Sequence, residues 1–301
     1  MPRMQGKGRS MKWEGNRQSD NVEDARSGGR GVRMGGGRGI GLGTIVIALL
    51  GGWIFGINPL TILGVLDGGS GGLAPQVQQA PATRPPADDQ QAAFVATVLA
   101  DTEEVWRAQF ALAGSAYEEP KLRLFRGQEP TACGQGDAAM GPFYCPGDRK
   151  VYIDLGFFDT MAQRMGAPGD FAQAYVIAHE VGHHVQNLLG ITDKVDAMRG
   201  RISEAEQNAM SVRLELQADC FAGVWAHDSQ KSKGWLESGD VEEALNAATQ
   251  IGDDTLQRQS RGTVVPESFT HGTSAQRVKW FQRGLQGGSL QKCNTFGKTP
   301  L

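Results

Sequence analysis

The stretch AHEVGHH, residues 178–184, lies among apolar neighbours that predict a buried helix from 170 to about 189. Residues four positions apart share one face of a helix, so His179 and His183 can place two imidazoles on one metal ion. Glu180 follows the first imidazole directly, so its carboxylate can reach a water on that metal rather than the metal itself. Zinc acidifies such a water, and a neighbouring carboxylate takes the proton. The pattern therefore predicts a hydrolytic zinc site with Glu180 as general base.

A catalytic zinc that keeps one open position needs a third protein ligand. One class of zinc protease takes it from a histidine six residues after the second, but Leu189 occupies that position here, and Gln186 replaces that class's glycine. A later helix offers a carboxylate pair instead, because Glu215 and Asp219 are again four residues apart among apolar neighbours. We expect Glu215 to be the third ligand and Asp219 to orient a ligand imidazole by accepting its other N–H. A solvated helix face is the alternative for this pair.

The chain from residue 91 onward predicts a mostly helical α+β domain with a small sheet. Ser203 and Glu206 form a capping-box pattern at the start of the helix that carries Glu215. The predicted elements are helices at 94–112, 170–189, 203–227, 241–259 and from Thr273-Ser274 onward, with strands at 122–125 and 150–155.

Charge and cysteine content narrow the class of protein further. The 301 residues have a formal net charge of −3, which gives no electrostatic reason to expect nucleic acid as a partner. The four cysteines lack the paired CxxC spacing of a structural zinc site. Outside the cytoplasm they can form disulfides, for which we favour Cys133–Cys145 and Cys220–Cys293; a buried free thiol is the alternative for Cys220.

Residues 39–66 contain no charged side chain and are long enough to span a bilayer. The 38 residues before them carry nine Lys or Arg against four acidic residues, which predicts a cytoplasmic N-terminus. A cleaved signal peptide and a buried core helix are the alternatives to this signal-anchor. The expected organisation is a basic, glycine-rich cytoplasmic tail at 1–38, a transmembrane signal-anchor at 39–66, a flexible linker at 67–90 and an extracytoplasmic metallopeptidase domain at 91–301.

The chain resembles the neutral zinc metallopeptidase family of bacterial single-pass membrane proteins, the YpfJ-like group. The resemblance is carried by HEVGHH at 179–184, ELQADCFAG at 215–223, FTHGTSAQR at 269–277 and MKWEGNRQSDNVEDARSGG at 11–29. A glutamate ligand followed four residues later by an aspartate is similar to the gluzincin arrangement. The resemblance implies a zincin-like fold, one zinc ion per chain and an inner-membrane protein whose catalytic domain lies in the periplasm.

The resemblance also suggests roles for two residues and one strand. His271 and Arg277 resemble the His-Pro…Arg segment of membrane-bound gluzincins, where an imidazole or a cation near the zinc stabilises the oxyanion. The alternative is a capped helix start with a solvated Arg277. In zincin folds an edge strand beside the cleft binds the substrate backbone, and we expect residues 151–155 to be that strand.

The function predicted from these features is zinc-dependent hydrolysis of peptide bonds in a protein or peptide substrate. Two other functions fit the same residues. One is a zinc-binding module of the cell envelope that recognises or assembles other proteins without cleaving them. The other is an amidase that acts on cell-wall peptide. Substitution of Glu180 separates the binding module from both enzymes, because only an enzyme needs the general base.

Overall fold

A computed structural model describes residues 11–27, 79, 81–297 and 301, in which a small sheet accompanies a larger set of helices. The strands are β1 (Val22–Asp24), β2 (Lys121–Phe125), β3 (Gln128–Thr131), β4 (Gly134–Asp137), β5 (Phe143–Cys145) and β6 (Lys150–Asp154). The α-helices are α1 (Gln90–Leu112), α2 (Gly156–Arg164), α3 (Asp170–Leu188), α4 (Ile191–Asp196), α5 (Glu204–Lys233), α6 (Asp240–Gln250), α7 (Asp253–Arg261) and α8 (Ser274–Gly287). Short 3-10 helices occupy Ala138–Met140, Pro266–Ser268 and Leu290–Cys293. The predicted α+β class is confirmed.

The main sheet has the strand order β1-β2-β6-β5, and β3 and β4 form a separate hairpin. Strands β1, β2 and β6 run parallel, whereas β5 pairs antiparallel with β6. The strand expected beside the cleft, residues 151–155, is therefore wrongly assigned as an edge, because it coincides with β6 and has neighbours on both sides. Among the described strands, β5 is the edge on that side of the sheet.

The two long helices that carry the predicted zinc residues are α3 and α5. Asp170 is the first residue of α3 rather than its cap, which is Gly169; its charge still favours this end of the helix dipole. Ser203 caps α5 in a complete capping box with Glu206, as predicted. The helix α5 continues past residue 227 to Lys233, because no breaker intervenes before Gly234.

The helix expected at 241–259 is two helices, α6 and α7. The chain bends at Gly252, where the start of α8 approaches. Ser274 Oγ lies 2.7 Å from the carbonyl oxygen of Thr249 and 2.8 Å from Asp254 Oδ1, and thus contacts both helices at the bend. Apolar periodicity carries no information about such a tertiary contact, so the sequence predicts one helix where the fold has two.

The core lies between the helices and the sheet. Its largest fully buried side chains include Trp106 of α1, Tyr175 of α3 and Trp225 of α5. The helices α5 and α8 touch backbone to backbone, because a methyl group at Gly284 would overlap the carbonyl oxygen of Cys220. This close contact holds α8 against the middle of α5.

Both predicted disulfides are present. Cys133–Cys145 joins the end of the β3–β4 hairpin to edge strand β5. Cys220–Cys293 joins the middle of α5 to the last 3-10 helix. Together they use all four cysteines of the chain.

The N-terminal residues 11–27 pack on the same body as residues 81–297, so the domain boundary predicted at residue 91 is wrong. Strand β1 pairs in register with β2, Met11 is buried in the core, and the N–H of Ser19 donates to the carbonyl of Ala96 (2.9 Å). The expected linker 67–90 also contributes, because Thr83 forms an antiparallel bridge with Asp24. Three residues of sheet give too weak a periodic signal to distinguish β1 from a tail.

The predicted transmembrane segment, residues 39–66, lies outside the described residues. Within residues 11–27, 79, 81–297 and 301, no helix combines the length and the apolar character needed to cross a bilayer.

Removal of residues 11–27 is expected to destabilise the domain. Glu103 is only 1% exposed and receives hydrogen bonds from Arg17 Nη2 (2.7 Å), Asn21 Nδ2 (2.9 Å) and the Ser19 hydroxyl. A buried carboxylate stripped of its partners costs about 3 kcal/mol or more, equivalent to a fall in Tm of roughly 10 °C in a domain of this size.

Thermal unfolding followed by circular dichroism measures this effect on a chain of residues 79–301. The matched control joins residues 11–27 to residue 79 through a short Gly-Ser linker, because the Asp24–Thr83 bridge keeps these ends together. Equal Tm values for the two chains would show that the N-terminal segment adds nothing to the fold.

Candidate metal centre

Two histidines of α3 and one glutamate of α5 form a group that could hold a metal ion. One ligand atom from each of His179, His183 and Glu215 lies within 4.8 Å of the others. His179 Nε2 is 3.1 Å from Glu215 Oε2, and His183 Nε2 is 3.5 Å from Glu215 Oε1. The group is the only one of its kind among the described residues. The three residues that the sequence nominates as ligands are therefore together in the fold.

Each imidazole is held through the nitrogen that faces away from this group. His179 Nδ1 lies 2.9 Å from Asp219 Oδ1, and His183 Nδ1 lies 2.9 Å from Gln186 Oε1. Both partners are acceptors, since Gln186 Nε2 donates to the carbonyl of Leu214 (2.7 Å). Each Nδ1 therefore carries a proton, and the Nε2 of each ring faces the Glu215 carboxylate, where it can hold a second proton or offer its lone pair to a metal ion.

This arrangement fits a divalent cation. The Glu215 carboxylate faces both Nε2 atoms, so positive charge belongs between them, either as protons on the imidazoles or as a metal ion that takes the place of those protons. Two nitrogens and one oxygen at this spacing are a donor set that zinc takes in catalytic sites, with one position left open. The supporting acceptors on both rings are the usual surroundings of histidine ligands.

Asp219 lies at the centre of the buried support. Its Oδ1 accepts from the hydroxyl of Tyr175 (2.5 Å) and from Arg277 Nη2 (2.9 Å), in addition to His179. Its Oδ2 accepts from Arg277 Nε (2.9 Å). Burial raises the pKa of Asp219, but the Arg277 guanidinium and His179 outweigh it and lower the value to about 2. The carboxylate is therefore ionised, fully buried and fixed from three sides.

Arg277 belongs to this support. It is only 2% exposed, and its guanidinium makes a forked ion pair with Asp219 and a hydrogen bond to the hydroxyl of Tyr175 (3.2 Å). The alternative prediction, a solvated Arg277, is therefore wrong. Its burial and its contacts with Asp219 and Tyr175 favour a structural role over direct contact with a substrate oxyanion.

The carboxylates shape the titration of the two imidazoles. Burial lowers the pKa of His183, but Glu215 raises it to about 9. Burial likewise lowers the pKa of His179, but Asp219 and Glu215 raise it overall. The pKa of Glu215 is lowered well below its usual value, because His183 and His271 outweigh the effect of burial. The carboxylates thus stabilise positive charge on the two imidazoles, at the place where a bound cation would lie.

Glu180 lies next to the group but contributes no atom to it. Its side chain is buried, with 8% of the residue exposed, and burial raises the pKa of its carboxyl. Its place in the first turn after His179 is the one predicted for a group that acts on a water rather than on the metal.

His271 stands on the loop before α8, which Asp253 organises. Asp253 Oδ2 accepts from the backbone N–H groups of Thr270 (2.8 Å), His271 (2.6 Å) and Gly272 (3.0 Å). His271 Nδ1 lies 3.0 Å from the Thr270 hydroxyl and 3.3 Å from Asp253 Oδ1. The imidazole is 45% exposed. Burial lowers the pKa of His271, but Glu215 and Asp253 raise it overall. The carboxylate of Glu215 therefore acts on this ring as well as on His179 and His183.

A close crossing of α3 and α5 brings the ligands together. A methyl group at Gly182 would lie 3.1 Å from the backbone Cα and carbonyl oxygen of Ala218, so a larger residue would push the helices apart. The adjacent His184 faces the sheet, where its Nδ1 contacts the Tyr144 hydroxyl (3.0 Å) and its Nε2 contacts the carbonyl of Glu118 (2.7 Å). His184 is structural, as its helical position predicts.

Three residues of the support were not assigned from the sequence: Gln186, Tyr175 and Asp253. Gln186 and Tyr175 lie one turn from the ligand histidines on the same helix, and this spacing is a usable signal. Asp253 acts through backbone contacts 17 to 19 residues away in sequence, for which no local pattern exists.

An α+β fold with a group of two histidines and a glutamate between two long helices defines a protein that could hold a metal ion at a site suited to hydrolytic chemistry. A model of the family described as "Putative neutral zinc metallopeptidase" matches residues 11–296, and the chain belongs to that family. The resemblance noted from the sequence is thereby confirmed.

Relatives in two bacterial groups share long stretches with this chain. "Uncharacterized protein YpfJ" of Escherichia coli K12 is 52% identical over 296 residues, covering 96% of this chain and 100% of that protein. "Uncharacterized protein Rv2575" of Mycobacterium tuberculosis H37Rv is 45% identical over 197 residues, covering 62% of this chain and 65% of that protein. No solved structure matches the chain.

Replacing Gln186 with leucine is expected to weaken zinc binding about 10- to 100-fold, because His183 loses the acceptor that fixes its ring. Competition with a chromophoric chelator measures the affinity. The matched control is Gln163→Leu, an exposed glutamine on α2. A folded Gln186→Leu chain with unchanged zinc affinity would show that the amide does not support the ligand.

Proposed function

We propose that this chain is a zinc-dependent peptidase in which His179, His183 and Glu215 hold the ion and Glu180 is the general base. The observation that carries the proposal is the convergence of two Nε2 atoms and a carboxylate beside a second buried carboxylate outside the donor group. Membership of the zinc metallopeptidase family supports a peptide as the substrate.

Bound zinc supplies Lewis acidity toward the scissile carbonyl and the attacking water. Glu180 accepts a proton from this water while the oxygen forms its bond to the carbonyl carbon. The same carboxyl then delivers the proton to the amine nitrogen as the carbon–nitrogen bond breaks. Asp219 and Gln186 keep the two imidazoles oriented throughout, which avoids reorganisation of the ligands during the reaction.

His271 is the candidate for stabilising the oxyanion. Thr270 and Asp253 hold its Nδ1, and among the described residues its Nε2 makes no hydrogen bond, so this nitrogen is available to a substrate. An imidazole that donates to the developing negative charge is worth about 3 kcal/mol in comparable sites. The partial exposure of the ring suits contact with a bound peptide.

The substrate backbone is proposed to bind along edge strand β5. This strand has a partner on one side only among the described strands, and it lies against the helix α3 that carries the histidines. Tyr144 of β5 accepts a hydrogen bond from Asn187 of α3 (3.1 Å), which ties the strand to the metal helix. An extended peptide can add to such an edge through backbone hydrogen bonds.

Glu180→Gln is expected to lower peptide hydrolysis about 100- to 10,000-fold without loss of zinc, because the amide cannot accept the proton. The assay is mass spectrometry of products from a denatured protein mixture and, separately, from muropeptides. Glu242→Gln, an exposed acid of α6, is the matched control.

Each result of this assay assigns one class of function. Release from the protein mixture that depends on Glu180 supports the peptidase. Release from muropeptides alone assigns the cell-wall amidase. Absence of release from both, with zinc bound, assigns the non-proteolytic module.

Glu215→Ala is expected to lower zinc affinity by more than the roughly 100-fold effect of a supporting residue, because it removes a ligand. Elemental analysis and chelator competition on the purified full chain measure stoichiometry and affinity. Glu204→Ala, at an exposed position in the first turn of the same helix, is the control. Unchanged zinc binding in the Glu215 variant would exclude it as the third ligand.

A further inference from the structure

The two ends of residues 25–82 meet at one point of the fold. Asp24 and Thr83 exchange two backbone hydrogen bonds, from the N–H of Asp24 (2.7 Å) and from the N–H of Thr83 (2.9 Å). Gln79 reaches the same sheet, since its Nε2 donates to the hydroxyl of Tyr152 (2.9 Å). The chain therefore leaves and re-enters the domain beside β1.

The N-terminal segment is built into the domain rather than attached to it. Strand β1 hydrogen-bonds to β2 over its whole length, and the N–H of Lys12 donates to the carbonyl of Trp235, two residues after α5 ends (3.1 Å). Buried Glu103 of α1 takes its hydrogen bonds from residues 17–21. The family model begins at residue 11, at the start of this packed segment.

A single membrane crossing within residues 39–66 is incompatible with these contacts. It would place β1 and β2 on opposite sides of a bilayer whose hydrocarbon core is about 30 Å thick, whereas the two strands are hydrogen-bonded neighbours. We propose that residues 11–27 and the domain at residues 81–297 occupy the same compartment, on one side of any membrane that the chain meets.

Three of the nine basic residues that precede the apolar stretch are bound into the fold, which weakens the basic N-terminus as a topology signal. Within residues 11–27 every lysine and arginine is paired with an acid: Lys12 with Glu237 (3.5 Å), Arg17 with Glu103 (2.7 Å), and Arg26 with Asp24 and Asp89 (both 2.7 Å). These three basic side chains form ion pairs within the domain, and their charges are balanced by its acidic residues. The two disulfides place the shared compartment outside the cytoplasm.

Single-cysteine labelling tests the proposal on the full chain. Both disulfides use every native cysteine, so one introduced cysteine is the only free thiol. The two variants are Gln18→Cys in the N-terminal segment and Lys231→Cys on α5, both at exposed positions. Spheroplasts that express either chain are treated with a membrane-impermeant maleimide before or after permeabilisation.

We expect both thiols to react before permeabilisation. Protection of both until permeabilisation also supports a shared compartment and moves it to the cytoplasm. Labelling of Lys231→Cys with protection of Gln18→Cys would overturn the proposal, because it requires a single crossing.

A second measurement uses proximity rather than access. In the double variant Arg17→Cys with Glu104→Cys, the replaced side chains lie 2.9 Å apart, so a short bis-maleimide is expected to close a loop and shift the gel mobility of the chain within native membranes. Pairing Gln18→Cys with Gln163→Cys supplies the reference for chance cross-linking. Cross-linking of the first pair no better than this reference would overturn the proposal.

Discussion

The fully buried carboxylate of Asp219 is the interaction on which the site depends. It belongs to α5, and it binds His179 and Tyr175 of α3 and Arg277 of α8. A buried carboxylate is costly unless its oxygens are paired, so the three helices must keep these contacts for the domain to be stable. The packing of these three helices therefore also fixes the orientation of the His179 ring, through its contact with Asp219.

Close helix contacts set the distances between the partners. Glu215 and Asp219 reach the histidines because Gly182 lets α3 approach Ala218 of α5, and Arg277 reaches Asp219 because Gly284 lets α8 touch α5 at Cys220. A Cβ atom at Gly182 would lie 3.1 Å from the backbone of Ala218, and one at Gly284 would overlap the carbonyl of Cys220. Either substitution would shift the helices that carry the candidate ligands and their partners. The small residues therefore belong to the architecture of the site, although they have no chemistry of their own.

The grouping of the candidate ligands could be predicted because helical spacing brings i and i+4 residues to the same face of a helix. Because Leu189 excludes a third histidine, a carboxylate was needed, and the same i, i+4 spacing pointed to Glu215 and Asp219. The pairing of Arg277 with Asp219 required knowledge of which helices cross and where, and the β1 strand required knowledge that a three-residue segment pairs with β2. Local patterns do not contain these tertiary facts, so the domain boundary and the bend at Gly252 were predicted wrongly.

The supports of the two imidazoles differ in charge. His179 faces the carboxylate of Asp219, which raises the basicity of its ring, whereas His183 faces the neutral amide of Gln186. The amide is itself held by Gln217 (3.1 Å), whose Nε2 donates to the carbonyl of Cys293 (2.9 Å). Three hydrogen bonds therefore connect one ligand to the Cys220–Cys293 disulfide. Because that disulfide fixes the position of the Cys293 carbonyl, its formation contributes to the order of the candidate metal centre.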